Sequence, residues 1–303
     1  MDLTWSPGEE AFRAEARAWL EVHVPTGLPS GDTRDGFAAH LEWERLLFRD
    51  RWAVVSWPAA YGGRGASLWE WLIFEEEYYR AGGPQRVTQN GIFLLAPTVF
   101  ELGTAEQQAH VLTRMASATD LWCQGWSEPN AGSDLASLTS RAIRDDERQG
   151  WVLNGQKTWT TRGAFCTHLF GLFRSDPSSE RHRGLTYLMV PLDLPGITVR
   201  GFGRLDGDEG FAEVFFDDAF FPDAAIPGGV VLGDVDQGGA WPWPPPAPSG
   251  ASPCGRPGGS WPPPSGSPSC GTRCRTAATA PTGRCESGWY RAGSTPRRTT
   301  CTL

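Results

Sequence analysis

Apolar side chains in the first part of the chain recur every three or four positions, the spacing that aligns them on one face of a helix. Phe12, Ala16 and Leu20 follow this period behind Ser6 and Glu9, which have the spacing of a capping box. The same period predicts a second helix over residues 37–52, a third that begins at Ser67 with Glu70, and another from Thr104 with Gln107 to about residue 116. With an apolar stretch over residues 91–102, these segments predict a bundle of roughly five helices.

The hydrophobic period changes from residue 121 to about residue 231, where short runs rich in aromatic and β-branched residues alternate with turn signals. The runs cover residues 121–126, 138–143, 151–153, 157–160, 168–173, 185–190, 197–202 and 213–216. Asn154-Gly155 separates two of them and is the pair most typical of a two-residue hairpin turn. Short strands at this spacing indicate a small β-barrel or sandwich. The predicted fold class is therefore α+β, with a helical domain at 1–120 and a β-barrel domain at 121–232.

The composition changes sharply near Gly238. Residues 239–302 contain no Val, Ile, Leu, Met or Phe, although they hold 13 of the 25 Pro and 5 of the 7 Cys residues of the chain. A segment without those side chains buries too little apolar surface to offset the entropy lost on ordering. Residues 239–303 are therefore predicted to be a disordered, low-complexity tail.

Three interpretations of this tail compete. Its Pro clusters suit an arm that recruits domains with aromatic grooves. Its Cys residues suit a metal site or disulfides less well, because they show no paired spacing and no His accompanies them. The third interpretation is GC-rich coding DNA read out of frame, since the tail is rich in Pro, Gly, Ala, Arg, Ser, Cys and Trp, and Lys157 is the only Lys among the 27 basic residues of the chain. We favour the frameshift.

The charge balance excludes some classes of function. The chain has 27 Lys and Arg against 35 Asp and Glu, a net charge of −8, with no block of five basic residues. A nucleic-acid-binding surface is therefore not expected. No apolar run reaches the roughly 18 residues of a membrane-spanning helix, and the amino terminus does not resemble a signal peptide. The sequence thus predicts a soluble, cytoplasmic protein.

Two segments carry a family resemblance. Trp126-Ser-Glu-Pro-Asn-Ala-Gly-Ser-Asp134 and, further along the chain, Asn154-Gly-Gln-Lys-Thr-Trp-Thr-Thr161 resemble the paired signatures of the acyl-CoA dehydrogenase family. Supporting stretches at 57–63, 103–107 and 211–218 keep the family's order. The resemblance covers about residues 5–238 and stops where the composition changes. Because the family normally continues into a carboxy-terminal helical domain, this coincidence also favours a frameshift.

The resemblance implies the α,β-dehydrogenation of an acyl-CoA thioester to a trans-2-enoyl-CoA, with hydride transfer to FAD. It implies that Trp126 and Ser127 contact the pyrimidine edge of the flavin, that Trp159 and Thr161 lie along the ring and near its N5 atom, and that Ser133 faces the acyl-CoA. These residue types suit a flavin, which needs an apolar wall for its face and polar partners at its edge. The resemblance further implies an electron acceptor such as an electron-transfer flavoprotein, a homo-oligomer and a role in fatty acid metabolism.

No catalytic residue and no metal site are predicted. The family's base is usually a Glu of the carboxy-terminal domain, and Glu286, the only carboxylate side chain of the tail, has no helical apolar pattern around it. Lys157 is interpreted as a surface charge on the predicted hairpin. Two classes of function stay open: an acyl-CoA dehydrogenase impaired in this chain, and a non-catalytic fragment or binding module with a Pro-rich arm. An acyl-CoA oxidase on the same scaffold is a further alternative.

Overall fold

A computed structural model describes residues 4–238, in which a helical region is followed by a sheet. The helices are α1 (Pro7–His23), α2 (Arg34–Arg49), α3 (Leu68–Arg80), a π-helical segment (Asn90–Leu95) that continues into α4 (Ala96–Leu102), and α5 (Ala105–Gln107), which continues through a second π-helical segment (Gln108–Leu112) into α6 (Thr113–Ala116). None of the described helices is both long and apolar enough to cross a membrane. The predicted tail at 239–303 lies outside the described residues.

Capping boxes begin three helical segments at the predicted positions. Ser6 and Glu9 exchange hydrogen bonds between side chain and backbone, and the pairs at the starts of α3 and α5 do the same. Helix α2 begins before residue 37 because the Thr33 hydroxyl accepts a hydrogen bond from the amide of Gly36 at 3.2 Å, and the helix ends at Arg49. The helical prediction is therefore confirmed, with shifted ends for α2.

A buried carboxylate joins α1 to α3. The side chain of Glu77 is 1% exposed and accepts hydrogen bonds from Arg13 at 2.7 Å, Arg17 at 2.9 Å and Arg80 at 2.7 Å. The hydrogen bond from Arg17 is the main reason that the pKa of Glu77 falls from its ordinary 4.5 to about 2, although burial acts in the opposite direction.

This depressed pKa predicts a loss of stability in acid. A carboxylate with a lowered pKa in the folded state contributes stability that is present above its unfolded pKa and is lost as the pH falls through its folded pKa. The free energy of unfolding should therefore fall between pH 4.5 and about 2. Urea titrations at several pH values measure how the free energy of unfolding changes with pH. The slope of this dependence should be shallower in Glu77→Gln than in the wild-type protein. Equal slopes would contradict the assignment.

Seven strands form one curled, half-barrel sheet. They are β1 (Trp122–Gly125), β2 (Arg141–Asp145), β3 (Gly150–Thr161), β4 (His168–Arg174), β5 (Leu185–Pro191), β6 (Ile197–Phe202) and β7 (Phe211–Pro222). The strand order is β1-β4-β2-β3-β7-β6, and β5 pairs with β4. Together with the helical region, this sheet confirms the predicted α+β class.

The helical region and the sheet share one hydrophobic core. Leu95 and Met115 from the helices belong to the same buried cluster as Trp122 and Leu169 from the sheet. Gly91 lies so close to Met115 and Trp122 that a Cβ atom there would be 2.9 Å from Met115 Cγ and 3.4 Å from Trp122 Cβ. The π-helical segment 90–95 is thereby fixed against β1.

The predicted hairpin at Asn154-Gly155 is wrong. Strand β3 continues through these residues and pairs with β2 on one side and β7 on the other, with a register shift between Leu153 and Gly155. Gly155 has a φ of 140°, and a Cβ atom there would lie 2.6 Å from Cβ and 2.7 Å from Cα of Ser140. The glycine therefore marks a β-bulge at a close backbone approach.

Replacing this glycine should destabilise the sheet. We expect Gly155→Ala to lower the free energy of unfolding by roughly 1–3 kcal/mol, because the methyl group combines an unfavourable φ with a steric clash. Urea denaturation measures the change. Gly132→Ala is the matched control and should be nearly neutral, since no atom lies within 4 Å of the added methyl group. Equal midpoints for the two variants would argue against the bulge.

Candidate functional site

The two signature segments lie side by side in the fold. The amide of Thr158 in β3 donates a hydrogen bond to the carbonyl oxygen of Ser127, just beyond the end of β1, at 2.9 Å. One residue further along the first segment and one residue back along the second, Glu128 and Lys157 form an ion pair of 2.8 Å between Oε1 and Nζ. The backbone contact and the ion pair hold residues 126–128 against residues 157–161.

Lys157 is a buried residue, and its interpretation as a surface charge is wrong. Its side chain is 0% exposed. The ammonium group also donates to the carbonyl oxygen of Leu172 at 2.7 Å and lies 4.8 Å from the ring centroid of Phe173. The error follows from the hairpin, because a residue beside a turn is ordinarily exposed, whereas Lys157 lies within the continuous strand β3 with its side chain on a buried face of the sheet, near Glu128 and Phe173. The sequence did contain a signal for this pair, because the first signature carries the negative charge of Glu128 and the second carries the positive charge of Lys157.

The Glu128 carboxylate is held in place by several hydrogen bonds. Its carboxylate accepts hydrogen bonds from the amide of Thr139 at 2.6 Å, the hydroxyl of Thr139 at 3.0 Å and the amide of Ser140 at 3.0 Å, besides Lys157. Burial alone would raise its pKa, but Lys157 and these donors lower the pKa of Glu128 to about 2. Burial likewise lowers the pKa of Lys157, and Glu128 opposes that effect. The two charges therefore stabilise each other and position the surrounding backbone.

Trp159 presents an aromatic face to solvent. Its side chain is 61% exposed, and its backbone has a φ of 56°, which is uncommon for a residue with a bulky side chain. The indole packs edge-on against Phe202 and Phe211, with ring centroids 5.3 and 5.6 Å away. The unusual backbone lies at the register shift between Lys157 and Thr160. Such local strain at an exposed aromatic residue is typical of a ligand contact.

The two signature segments also carry hydroxyl groups. Ser127 and Thr161 are half-buried, and within residues 4–238 neither hydroxyl has a hydrogen-bond partner. In the same part of the chain, the buried Trp126 Nε1 and Thr160 Oγ1 atoms also have no partner. An aromatic wall with free hydroxyls on neighbouring segments matches the donors and acceptors along the edge of a flavin ring. The residues present therefore fit that cofactor.

Ser133 is the remaining candidate site residue. It is exposed in the loop between the isolated bridge Glu128–Ala131 and the short 3₁₀ helix Leu135–Ser137. The structure brings Trp126, Ser127, Trp159 and Thr161 onto neighbouring segments, whereas no hydrogen bond within residues 4–238 links Ser133 to them. Its predicted contact with the acyl-CoA stays a prediction.

The sequence also missed a polar contact from the helical region. Asn90, the first residue of the π-helical segment, donates from Nδ2 to the carbonyl oxygen of Thr161 at 3.4 Å. This contact ties the helical region to the end of the second signature, and no motif in the sequence pointed to it.

Comparison with known proteins assigns the family. The model of the acyl-CoA dehydrogenase amino-terminal domain matches residues 6–119, and the model of the middle domain matches residues 123–219. Acyl-CoA dehydrogenase IpdE1 of Mycolicibacterium smegmatis is 42% identical over 224 residues, which cover 69% of this chain and 57% of that protein. The chain thus spans little more than half the length of this curated relative.

Solved structures agree with this match. The ChsE4-ChsE5 complex from Mycobacterium tuberculosis is 30% identical with a TM-score of 0.64, over 79% of this chain and 59% of that chain. The Tcur3481-Tcur3483 steroid ACAD is 28% identical with a TM-score of 0.67, over 79% of this chain and 60% of that chain. From the two matched domains and the paired signatures on adjacent segments, the chain belongs to the acyl-CoA dehydrogenase family.

Proposed function

We propose that the paired signature segments bind FAD and that the protein takes part in the α,β-dehydrogenation of an acyl-CoA thioester to a trans-2-enoyl-CoA. The observation that carries the proposal is the exposed indole of Trp159, on a segment that is hydrogen-bonded through Thr158 to Ser127 and that also carries Thr161; within residues 4–238 the hydroxyls of Ser127 and Thr161 have no hydrogen-bond partner. Family membership supports the same chemistry.

Each signature residue has a role in this proposal. The indole of Trp159 forms the wall along the flavin ring, and the Thr161 hydroxyl lies near N5. Trp126 and Ser127 provide backbone and hydroxyl partners for the pyrimidine edge. When bound, the flavin supplies the acceptor for the β-hydride. The Glu128–Lys157 ion pair keeps the two segments at a fixed separation, so that these groups do not have to be ordered during binding.

The substrate contacts belong to the proposal as well. Ser133 faces the acyl-CoA, and positioned donors stabilise the negative charge that develops on the thioester oxygen as the α-proton leaves. We assign no residue of 4–238 as the base that removes this proton. An electron-transfer flavoprotein as acceptor and a homo-oligomeric assembly are likewise proposed from the family.

Anaerobic spectroscopy tests the dehydrogenation. The purified chain is equilibrated with FAD, freed of unbound cofactor and mixed with acyl-CoA thioesters of different length. Because no base is assigned within residues 4–238, we expect slow bleaching of the visible flavin band, followed by reduction of an artificial electron acceptor. A chain that retains FAD but whose flavin band is not bleached by any of the acyl-CoA thioesters would contradict the proposed reaction. Rapid recovery of the band in air with release of hydrogen peroxide would instead identify an oxidase.

A further inference from the structure

A cavity between α3 and the π-helical segment Asn90–Leu95 has apolar walls and one carboxylate. Its volume is about 270 Å³, and it is lined in part by Trp71, Phe74, Glu75, Ile92, Phe93 and Pro97. A closed apolar cavity of about 150 Å³ holds a benzene molecule. The present cavity, which we call the Glu75 cavity, is therefore large enough for a hydrocarbon group bigger than a single ring.

The carboxylate of Glu75 is incompletely paired. It accepts a hydrogen bond from Trp71 Nε1 at 3.1 Å, and within residues 4–238 it forms no ion pair. Its neighbours on α3 differ, because Glu76 and Glu77 both contact Arg13 at 2.7 Å on the side of α1. A carboxylate has about four acceptor positions, so most of those on Glu75 stay available.

The surroundings of Glu75 penalise an unpaired charge. Burial raises the pKa of Glu75, and the charge of Arg86 and the hydrogen bond from Trp71 only partly oppose this effect. A half-buried acceptor among aromatic and aliphatic side chains gains free energy when a ligand donates a hydrogen bond to it. A purely hydrocarbon ligand would fill the same walls but would displace water from the carboxylate without replacing its hydrogen bonds.

One short segment connects this cavity to the proposed flavin site. Asn90 contacts the carbonyl oxygen of Thr161 at the site, whereas Ile92 and Phe93, within one helical turn of it, line the cavity. The π-helical segment therefore contributes residues to both the cavity and the proposed flavin site.

We propose that Glu75 is a specificity-determining residue that selects acyl groups carrying a hydroxyl remote from the thioester. The hydrocarbon skeleton fills the apolar walls of the Glu75 cavity, and the hydroxyl donates its hydrogen bond to the Glu75 carboxylate. A site built to bind a hydroxyl discriminates strongly against the analogue without it, because its own polar group is then left unpaired. This inference rests on the proposed function for the identity of the ligand as an acyl group.

Small probes test the cavity without FAD or coenzyme A. Decahydro-2-naphthol and 2-decalone have the same carbon skeleton, but only the alcohol can donate a hydrogen bond. Calorimetry or saturation-transfer NMR with the wild-type chain should show the alcohol bound about tenfold more tightly than the ketone, as expected for a hydrogen bond to a charged acceptor. Equal affinities, or no binding of either probe, would overturn the inference.

Two variants and one control locate the preference. Glu75→Leu should bind both probes with similar affinity, whereas Glu101→Leu, which removes an exposed carboxylate of α4, should retain the preference for the alcohol. Glu75→Gln keeps an acceptor oxygen and covers the case in which the Leu variant fails to fold. Its preference should be reduced, and an undiminished preference would contradict the role of the carboxylate.

The probe titrations and the flavin experiment together distinguish the two proposals. A wild-type chain that prefers the alcohol but binds no flavin would refute the proposed function and leave the ligand preference of the cavity intact. A chain that binds flavin and is bleached by acyl-CoA, but does not distinguish the probes, would refute the role of Glu75 alone.

Discussion

Replacing Lys157 with Met should lower the free energy of unfolding by about 3–5 kcal/mol, the range for removing one partner of a buried ion pair. The Lys157 ammonium is fully enclosed and donates to both Glu128 and the carbonyl oxygen of Leu172. Its loss leaves the Glu128 carboxylate buried beside a carbonyl oxygen, with hydrogen bonds from Thr139 and Ser140 but no positive charge. The two signature segments should then separate, so that flavin affinity falls together with stability.

Urea denaturation of a double-mutant cycle measures this effect. The variant Glu128→Gln/Lys157→Met removes both charges and should be more stable than the sum of the single changes predicts, by about 1 kcal/mol or more. Arg45→Met is the control, because it breaks an exposed ion pair with Glu42 and should cost less than about 1 kcal/mol. If Lys157→Met were as stable as Arg45→Met, the ion pair would not be the anchor of the site.

Trp159→Leu should weaken FAD binding by about 30-fold, the equivalent of roughly 2 kcal/mol, the loss expected for a principal aromatic contact. The indole is mostly exposed, and its ring contacts within residues 4–238 are edge-on to Phe202 and Phe211, so the folded state should lose little stability. The effect on binding should therefore appear in a variant with a nearly normal urea midpoint.

Trp69→Leu is the matched control for this measurement. Trp69 is 55% exposed on α3, outside both signature segments, and its replacement should leave FAD affinity unchanged. Fluorescence titration of FAD with each variant gives the comparison. Identical affinities for Trp159→Leu and the wild-type chain would exclude the indole as the flavin wall, and an equal loss in Trp69→Leu would indicate a nonspecific effect.

Local sequence patterns predicted the helices and most strands well. The capping box at Ser6 and Glu9 and the helical period behind it depend on residues within a few positions of each other, and the structure reproduces them. The hairpin failed because Asn154-Gly155 was interpreted from two residues alone. Strand β3 is continuous because it pairs with β2 and β7, and position 155 requires glycine because Ser140 lies so close to it. Neither the strand pairing nor the Ser140 contact can be recognised from the residues around Asn154-Gly155.

The candidate site residues came from the family resemblance and not from local sequence patterns. Trp159 and Thr161 were identified through the family resemblance, whereas the packing of Trp159 on Phe202 and Phe211 depends on strands more than forty residues away in sequence. Lys157 was misinterpreted because its partner Glu128 lies 29 residues earlier. Glu75 gave no signal, since a Glu on an amphipathic helix is ordinarily a solvated residue.

Calorimetric titration of FAD into the folded wild-type chain tests the central claim most directly, because it depends on no assumption about substrate, acceptor or base. We predict saturable binding of one FAD per chain and a yellow protein that keeps its visible absorbance band through gel filtration. A monodisperse, folded chain that gives no saturable heat and elutes colourless would contradict the assignment of these two segments as a flavin site.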